Sequence, residues 1–342
     1  MQSLAVKYRP STFDDVTEQD EVKIILKNQL ANNDLRNVYL FVGGAGTGKT
    51  TTARIFANEI NKGQGTPVEL DAASNNSVDD VREISQQAKT KSLDSEYRIY
   101  ILDECHVFSS SAWQAMLKLF EEPPMKTIFI LCTTNPEKIP KTILSRVQRY
   151  DFKRISQVGI CRRLELIYQT EAVENNWKCD YEYKDALEYI AKVADGGMRD
   201  AITMLDKCLA YSTELTIDNV VKALGLADYD IMFKLTSAIY NKDSKSVIDI
   251  IESIYADGKD LKTFIKTYTN FMLDLCKFNV TKSYDFIQIP SSYCLETHTL
   301  LGEYCNKYLD ILVRLNEQLR WDSTPKMTIE ASLLLECLEE NK

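Results

Sequence analysis

No two of the nine cysteines (105, 132, 161, 179, 208, 276, 294, 305 and 337) stand in C-x-x-C spacing. An odd, scattered set argues against a disulfide framework and against a zinc site, and reads as small apolar residues of the interior. Histidine is nearly missing, with only His106 and His298 in 342 residues. His298 sits in a helical stretch without metal-type partners, and His106 reads as a structural residue at a strand end. No apolar run approaches the ~18 residues that a bilayer span needs. Residues Met1–Lys7 lack the apolar core and cleavage-type stretch of a signal peptide, so a cytoplasmic location is expected. An excess of positive charge is also missing. The net charge is −9, with 20 Lys/Arg against 20 Asp/Glu in residues 1–155 and 21 against 30 in residues 156–342. Bulk charge therefore does not advertise nucleic-acid binding. Any DNA partner must meet a local basic or amide-lined face in the first part of the chain. Internal repeats and low-complexity tracts are absent too.

What is present is ordinary globular composition, 44% hydrophobic and 27% charged, on a chain long enough for two or three cores. Up to Ile155, short apolar runs alternate with helical patterns. The expected strands are Val38–Val42, Val68–Ala72, Arg98–Leu102, Thr127–Cys132 and Gln148–Phe152, with a helix over Thr50–Asn61. Alternation of this kind implies a parallel sheet covered on both faces. Beyond Ile155 the strand signal stops. Helices are expected over Val158–Thr170, Tyr183–Val193, Met198–Tyr211, Ile217–Leu224, Tyr229–Tyr240, Ser244–Ala256, Leu261–Phe278, Thr297–Gln318 and Pro325–Glu340, with a loop over Asn279–Ser292. Breaks near Ile155 and Ala227 divide the chain into an α/β domain (1–155), an all-α domain (156–227) and a second all-α domain (228–342).

The segment Gly43-Gly44-Ala45-Gly46-Thr47-Gly48-Lys49-Thr50 matches the P-loop pattern G-x-x-x-x-G-K-[ST] in full, after a strand and before a helix. Its glycines let successive amides turn inward around phosphate oxygens, and the following helix adds its positive end. Lys49 is expected at the β- and γ-phosphates of ATP and the Thr50 hydroxyl at Mg²⁺, with Thr51 next along the helix. The strand Ile99–Leu102 ends in Asp103-Glu104. Beside a P-loop, Asp103 is expected near Mg²⁺ and Glu104 near the attacking water, as the base that orients it. Thr134 follows the next apolar strand and emerges at the same sheet edge, within reach of the γ-phosphate or the water. Asp103-Glu104-Cys105-His106 also spells a D-E-x-H box, which keeps a nucleic-acid helicase as an alternative. A helicase of that type would need a second α/β domain, and everything beyond Ile155 reads as helical.

Longer segments point to a family. Lys7-Tyr8-Arg9-Pro10-Ser11-Thr12-Phe13-Asp14-Asp15-Val16, Asp71-Ala72-Ala73-Ser74-Asn75-Asn76, Leu119-Phe120-Glu121-Glu122-Pro123-Pro124 and Lys138–Arg146 together resemble the clamp-loader ATPases of the AAA+ class, and among them the bacterial DNA polymerase III gamma/tau subunits. The resemblance runs the length of the chain, Leu315–Trp321 being similar to the family's collar helices. It implies an AAA+ domain, a helical lid and an oligomerising collar. It further implies hydrolysis of ATP with Mg²⁺ to open a sliding clamp and close it on primed DNA, within a pentamer-like assembly of clamp-loader subunits. Under this resemblance Lys49 and Thr50 are the Walker A pair, Asp103 and Glu104 the Walker B acids, and Thr134 is sensor 1. Arg146 is an arginine finger acting in trans on a neighbour's ATP, and Arg199 is sensor 2. Tyr8, Arg9 and Pro10 belong to the box that folds over the adenine.

Three departures stand out. The family's four-cysteine zinc module is replaced by the short, cysteine-free stretch Asn61–Glu69, so no zinc is expected. Val147 follows Ser145-Arg146 where the family has cysteine. Val16-Thr17-Glu18-Gln19 lacks the glycine that usually precedes the glutamine. No tau-type extension is expected after Lys342, and the short form suggests a phage or streamlined replication system. The helix opening near Ser77 could present amides to DNA phosphate, although Asp79, Asp80 and Glu83 leave it no basic stripe. A scaffold that binds ATP only for assembly is a further alternative. Retention of Glu104, Thr134, Arg146 and Arg199 together argues against it.

Overall fold

Continuous apolar runs in three central strands, flanked by two strands of alternating burial, build a parallel sheet with one core on each face. A computed structural model describes residues 2–88, 90, 94–177, 183–224, 229–289, 293, 295 and 302–338. Contacts divide the chain into Met1–Leu215 and Thr216–Lys342. The second break expected from the sequence, near Ala227, falls outside the described residues, as do Cys179, Cys294 and His298.

In the first unit the order is α1 (Leu4–Lys7), α2 (Asp20–Asn32), β1 (Val38–Gly43), α3 (Lys49–Ile60), β2 (Val68–Asp71), α4 (Val78–Ala88), β3 (Arg98–Asp103), α5 (Ser110–Glu121), β4 (Thr127–Thr133), α6 (Lys141–Leu144), β5 (Gln148–Phe152), α7 (Gln157–Asn175), α8 (Tyr183–Val193) and α9 (Met198–Tyr211). All strands pair in parallel, in the spatial order β2-β3-β4-β1-β5. Every residue of β4 is buried, as a strand covered on both faces requires. Leu40, Leu102, Phe129 and Leu131 point to the face covered by α4 and α5. Phe41, Ile101, Ile128 and Ile130 point to the other, where Leu26 of α2 and Phe56 of α3 pack. Helix ends follow local chemistry. The hydroxyls of Ser109 and Ser156 accept from Ala112 N and Gly159 N to open α5 and α7, and Pro123-Pro124 follow the end of α5.

Because the strands are parallel, the C-terminal ends of β1, β3 and β4 share one edge. That edge carries Gly43, Asp103 and Thr133-Thr134. Ligands of open α/β sheets bind in the crevice at such an edge. Gly43 pairs there with Phe152, and a Cβ on it would lie 2.5 Å from the Phe152 carbonyl oxygen and 2.8 Å from the Phe152 Cβ. Gly43→Ala must therefore push β5 away from β1. It is expected to cost about 1–3 kcal/mol. A denaturant midpoint equal to that of the wild type would contradict this.

The second unit comprises α10 (Ile217–Leu224), α11 (Tyr229–Tyr240), α12 (Ser244–Ala256), α13 (Leu261–Thr281), α14 (Gly302–Leu319) and α15 (Pro325–Leu338). Helix α13 lies along α14, with Ile265, Phe271, Met272, Leu312 and Leu315 buried. The buried hydroxyl of Thr236 meets Tyr268 Oη at 2.9 Å. The loop expected over Asn279–Ser292 is more ordered than the sequence suggests. Helix α13 runs on to Thr281, a 3₁₀ turn covers Tyr284–Phe286, and Ile287 and Ile289 are buried. The buried Asp274 carboxylate accepts from Gln288 N at 2.6 Å, which fixes the segment against α13. Residues 297–301 and 339–340 of the two last expected helices lie outside the described residues.

Candidate nucleotide-binding site

The P-loop turn between β1 and α3 needs left-handed backbone twice, at Gly46 (φ 70°) and Gly48 (φ 99°). The Gly46 carbonyl accepts from Met198 N at the start of α9 at 3.0 Å. A trans peptide sets N–H opposite C=O, so this bond turns the Thr47 amide away from α9. Gly46 is also tight against α9, since a Cβ on it would lie 3.0 Å from Gly197 Cα. The buried Lys49 ammonium donates to Gly43 O at 2.8 Å and Gly44 O at 2.7 Å. Burial lowers the Lys49 pKa from its ordinary value, against opposing pulls from Glu104, Cys132 and Asp103.

The acids at the end of β3 face different partners. Thr50 Oγ1 donates to Asp103 Oδ2 at 2.8 Å. The pair places a hydroxyl and a carboxylate together, the hard oxygen donors that Mg²⁺ takes alongside water and phosphate. Among the described residues no group of three or more His, Cys, Asp or Glu could hold a metal ion. Mg²⁺ at a phosphate site needs only one or two protein oxygens, so the residues present fit it. Glu104 adopts left-handed backbone at φ 45°, a costly conformation for a side-chain-bearing residue. Its carboxylate accepts from Thr134 N at 3.2 Å and from Thr134 Oγ1 at 2.9 Å. His106 Nδ1 stands 3.1 Å from the same carboxylate and 3.1 Å from Thr133 Oγ1. His106 thus ties the turn after β3 to β4 through Thr133 and stands beside Glu104.

A cavity of about 310 Å³ opens at this edge. Gly46, Thr47, Gly48, Lys49, Thr50, Thr51 and Asp103 line it, with Arg199 and with Tyr8, Arg9 and Pro10 of the opening segment. Gly43 and Gly44 instead receive the Lys49 ammonium, and Ala45 lies beside Gly197. The opening segment is tied to α7 and α9. Tyr8 Oη donates to Glu171 at 2.7 Å, Lys7 pairs with Glu171 and Glu174, and Leu4 N donates to Asp206 at 3.2 Å. Burial, with the Glu171 bond, pushes the Tyr8 phenol up to about 12.

Sequence reasoning missed Arg163, which lines the cavity and donates to Tyr8 O at 2.9 Å. It also missed the function of Glu18-Gln19. Both adopt left-handed backbone, with φ 55° and 57°. This explains the glycine usual before the glutamine. Here the strain is offset, because the Glu18 carboxylate accepts from Ser156 N at 3.0 Å and from its hydroxyl. The Gln19 amide exchanges hydrogen bonds with Lys153 at 2.7 and 3.1 Å and donates to Thr47 O at 3.5 Å, linking β5 to the P-loop. The missing signal was two consecutive residues held at positive φ, which only a glycine would have announced.

Arg146 does not line the cavity. It follows α6, half exposed, with Nη1 donating to Thr142 O at 2.6 Å and to Ser145 Oγ at 3.0 Å.

Strand order and edge geometry define the class as a P-loop fold of the AAA+ type. Solved structures of Thermotoga maritima RuvB, one described as a Holliday junction branch migration motor, share this fold with a TM-score of 0.52. At 17% identity, over 79% of this chain and 91% of that one, the likeness bears on the fold alone. Within the class the chain belongs to the DNA polymerase III gamma/tau family of clamp-loader subunits. Models described as DNA polymerase III, delta subunit, as DNA polymerase III clamp loader subunit, ATPase lid domain, and as DNA polymerase III subunits gamma and tau domain III match residues 68–156, 160–214 and 215–297. DNA polymerase III subunit gamma of Buchnera aphidicola is 30% identical over 79% of each chain. DNA polymerase III subunit tau of Bacillus subtilis is 31% identical over 98% of this chain and 63% of its own length. That of Escherichia coli is 32% identical over 75% of this chain and 42% of its own. The chain thus spans about half the length of several relatives. The helicase alternative is not favoured, since every described element after Phe152 is helical.

Proposed function

We propose that this chain is the ATP-hydrolysing subunit of a sliding-clamp loader, opening the processivity clamp and loading it onto primed DNA during replication. The observation that carries this reading is the gathering of Lys49, Thr50, Asp103 and Arg199 at one cavity, with Glu104 next to Asp103 at the end of β3 and bonded to Thr134, neither of these two in the cavity lining, while Arg146 is held on Thr142 and Ser145. Lys49 takes the β- and γ-phosphates of ATP, and the opening segment with Tyr8, Arg9 and Pro10 covers the adenine. Thr50 and Asp103 would hold Mg²⁺, which when bound neutralises charge across the β- and γ-phosphate oxygens. Glu104 orients the attacking water and Thr134 senses the γ-phosphate. Arg199 reaches that phosphate from the chain's own helical region, and Arg146 reaches the ATP of an adjacent subunit. Residues 1–155 act as the ATPase domain, 156–227 as the lid and 228–342 as the collar of a pentamer-like cytoplasmic assembly.

Lys49→Met tests the binding half of this reading. Removing a charge-assisted contact to phosphate is expected to weaken MgATP binding about 10- to 100-fold, read by calorimetry. Unaltered affinity would place ATP elsewhere. Unwinding of duplex DNA by the purified chain alone would replace the reading with the helicase alternative.

A further inference from the structure

The Arg146 guanidinium is gripped from two elements. Helix α6 is only four residues long, so its last carbonyls have no partner further along the helix. Thr142 O accepts from Ser145 Oγ at 3.0 Å and from Arg146 Nη1 at 2.6 Å, and Nη1 also donates to Ser145 Oγ at 3.0 Å. On the other terminal nitrogen, Nη2 is paired with Glu121 Oε1 at 2.8 Å. Glu121 is the last residue of α5. Its place there is dictated locally, because the residue before a proline avoids helical backbone and Pro123-Pro124 end the helix. Glu122 accordingly leaves the helix at φ −126°, ψ 67°.

We propose that Glu121 is a positioning residue for Arg146, fixing the plane of the guanidinium so that its remaining N–H groups face an adjacent subunit's polyphosphate. The proposal rests on the reading of Arg146 given above and adds a second residue to it. A guanidinium anchored through Nη1 alone can still pivot about that nitrogen. A second anchor on Nη2, from a different helix, removes the pivot. Arginine carries five N–H donors. Nη1 spends both of its hydrogens on Thr142 and Ser145 and Nη2 spends one on Glu121, which leaves Nε–H and the second Nη2 hydrogen for a phosphate. The Glu121 side chain is 43% exposed and that of Arg146 37%, so the pair contributes orientation more than stability. Misplacement of a catalytic group by a fraction of its reach is enough to slow a reaction without changing ground-state binding.

The test is a double-mutant cycle on ATP hydrolysis by the assembled complex, with Glu121→Ala, Arg146→Ala and the pair. Glu121→Ala is expected to lower kcat about 3- to 10-fold, with KM for ATP unchanged. In the Arg146→Ala background it is expected to add no further loss. Glu121→Gln, which keeps an oxygen acceptor at the same reach, is expected to recover part of the rate. The positioning role is overturned if Glu121→Ala is silent, if it raises kcat, or if its loss multiplies with that of Arg146→Ala. A different result marks failure of the underlying reading. If Arg146→Ala itself hydrolyses ATP at the wild-type rate, Arg146 is no finger and Glu121 has nothing to position.

Discussion

Arg146→Ala is expected to leave ATP binding to the chain intact and to lower hydrolysis by the assembled complex about 10³-fold or more. The size follows from what an arginine supplied across an interface does. It stabilises charge on the transferring phosphoryl group in a site that water has left. The proposed location is supported by where the side chain is held. Arg146 is absent from the lining of the chain's own cavity, and its side chain is braced on Thr142, Ser145 and Glu121 at the surface. A residue so placed adds nothing to the affinity of its own chain for ATP. Calorimetry on the isolated chain and steady-state hydrolysis by the complex separate the two effects. A large loss of binding in the isolated variant would mean that Arg146 acts within its own chain.

Glu104→Gln is expected to lower hydrolysis about 10²-fold or more while ATP still binds, because the amide keeps the shape and loses the base. The carboxylate is bound by Thr134 N and Oγ1 and stands beside His106. Glutamine can keep an oxygen toward Thr134, so the local structure should survive the change. The left-handed backbone at Glu104 belongs to the turn after β3 and is unaffected. Single-turnover hydrolysis with both proteins saturated by ATP is the suitable measurement. Equal, slow hydrolysis by wild type and variant would favour a scaffold that binds ATP without using it.

Much of this site was legible in the sequence because its signals are local. The P-loop dictates its own turn through glycines at fixed offsets, and the structure puts Gly46 and Gly48 at positive φ. The central strands announce themselves as apolar runs and β2 and β5 by alternation, and the ends of all five shift by no more than a residue, as at Val68–Asp71. What stayed hidden depends on groups far apart in the chain. The contact of His106 with Glu104 and Thr133 requires β3 and β4 to lie side by side. Arg163 reads as a solvated helix residue until α7 is seen to carry it to Tyr8. Glu18 is hidden for another reason. A glutamate in left-handed backbone has no sequence signature, and only its bond to Ser156 accounts for it. The buried Ile287 and Ile289 lack a helical or strand period long enough to read, which is why their segment looked like a loop.

If one subunit's P-loop is completed by its neighbour's Arg146, two defective chains mixed before assembly should restore each other. The Lys49→Met chain keeps Arg146 but cannot hold ATP properly, and the Arg146→Ala chain keeps its P-loop but has no finger to give. Where the two sit side by side, Arg146 of the first faces an intact P-loop of the second. The mixed complex is expected to hydrolyse ATP well above either variant complex alone. A mixture no more active than its separate components would contradict it.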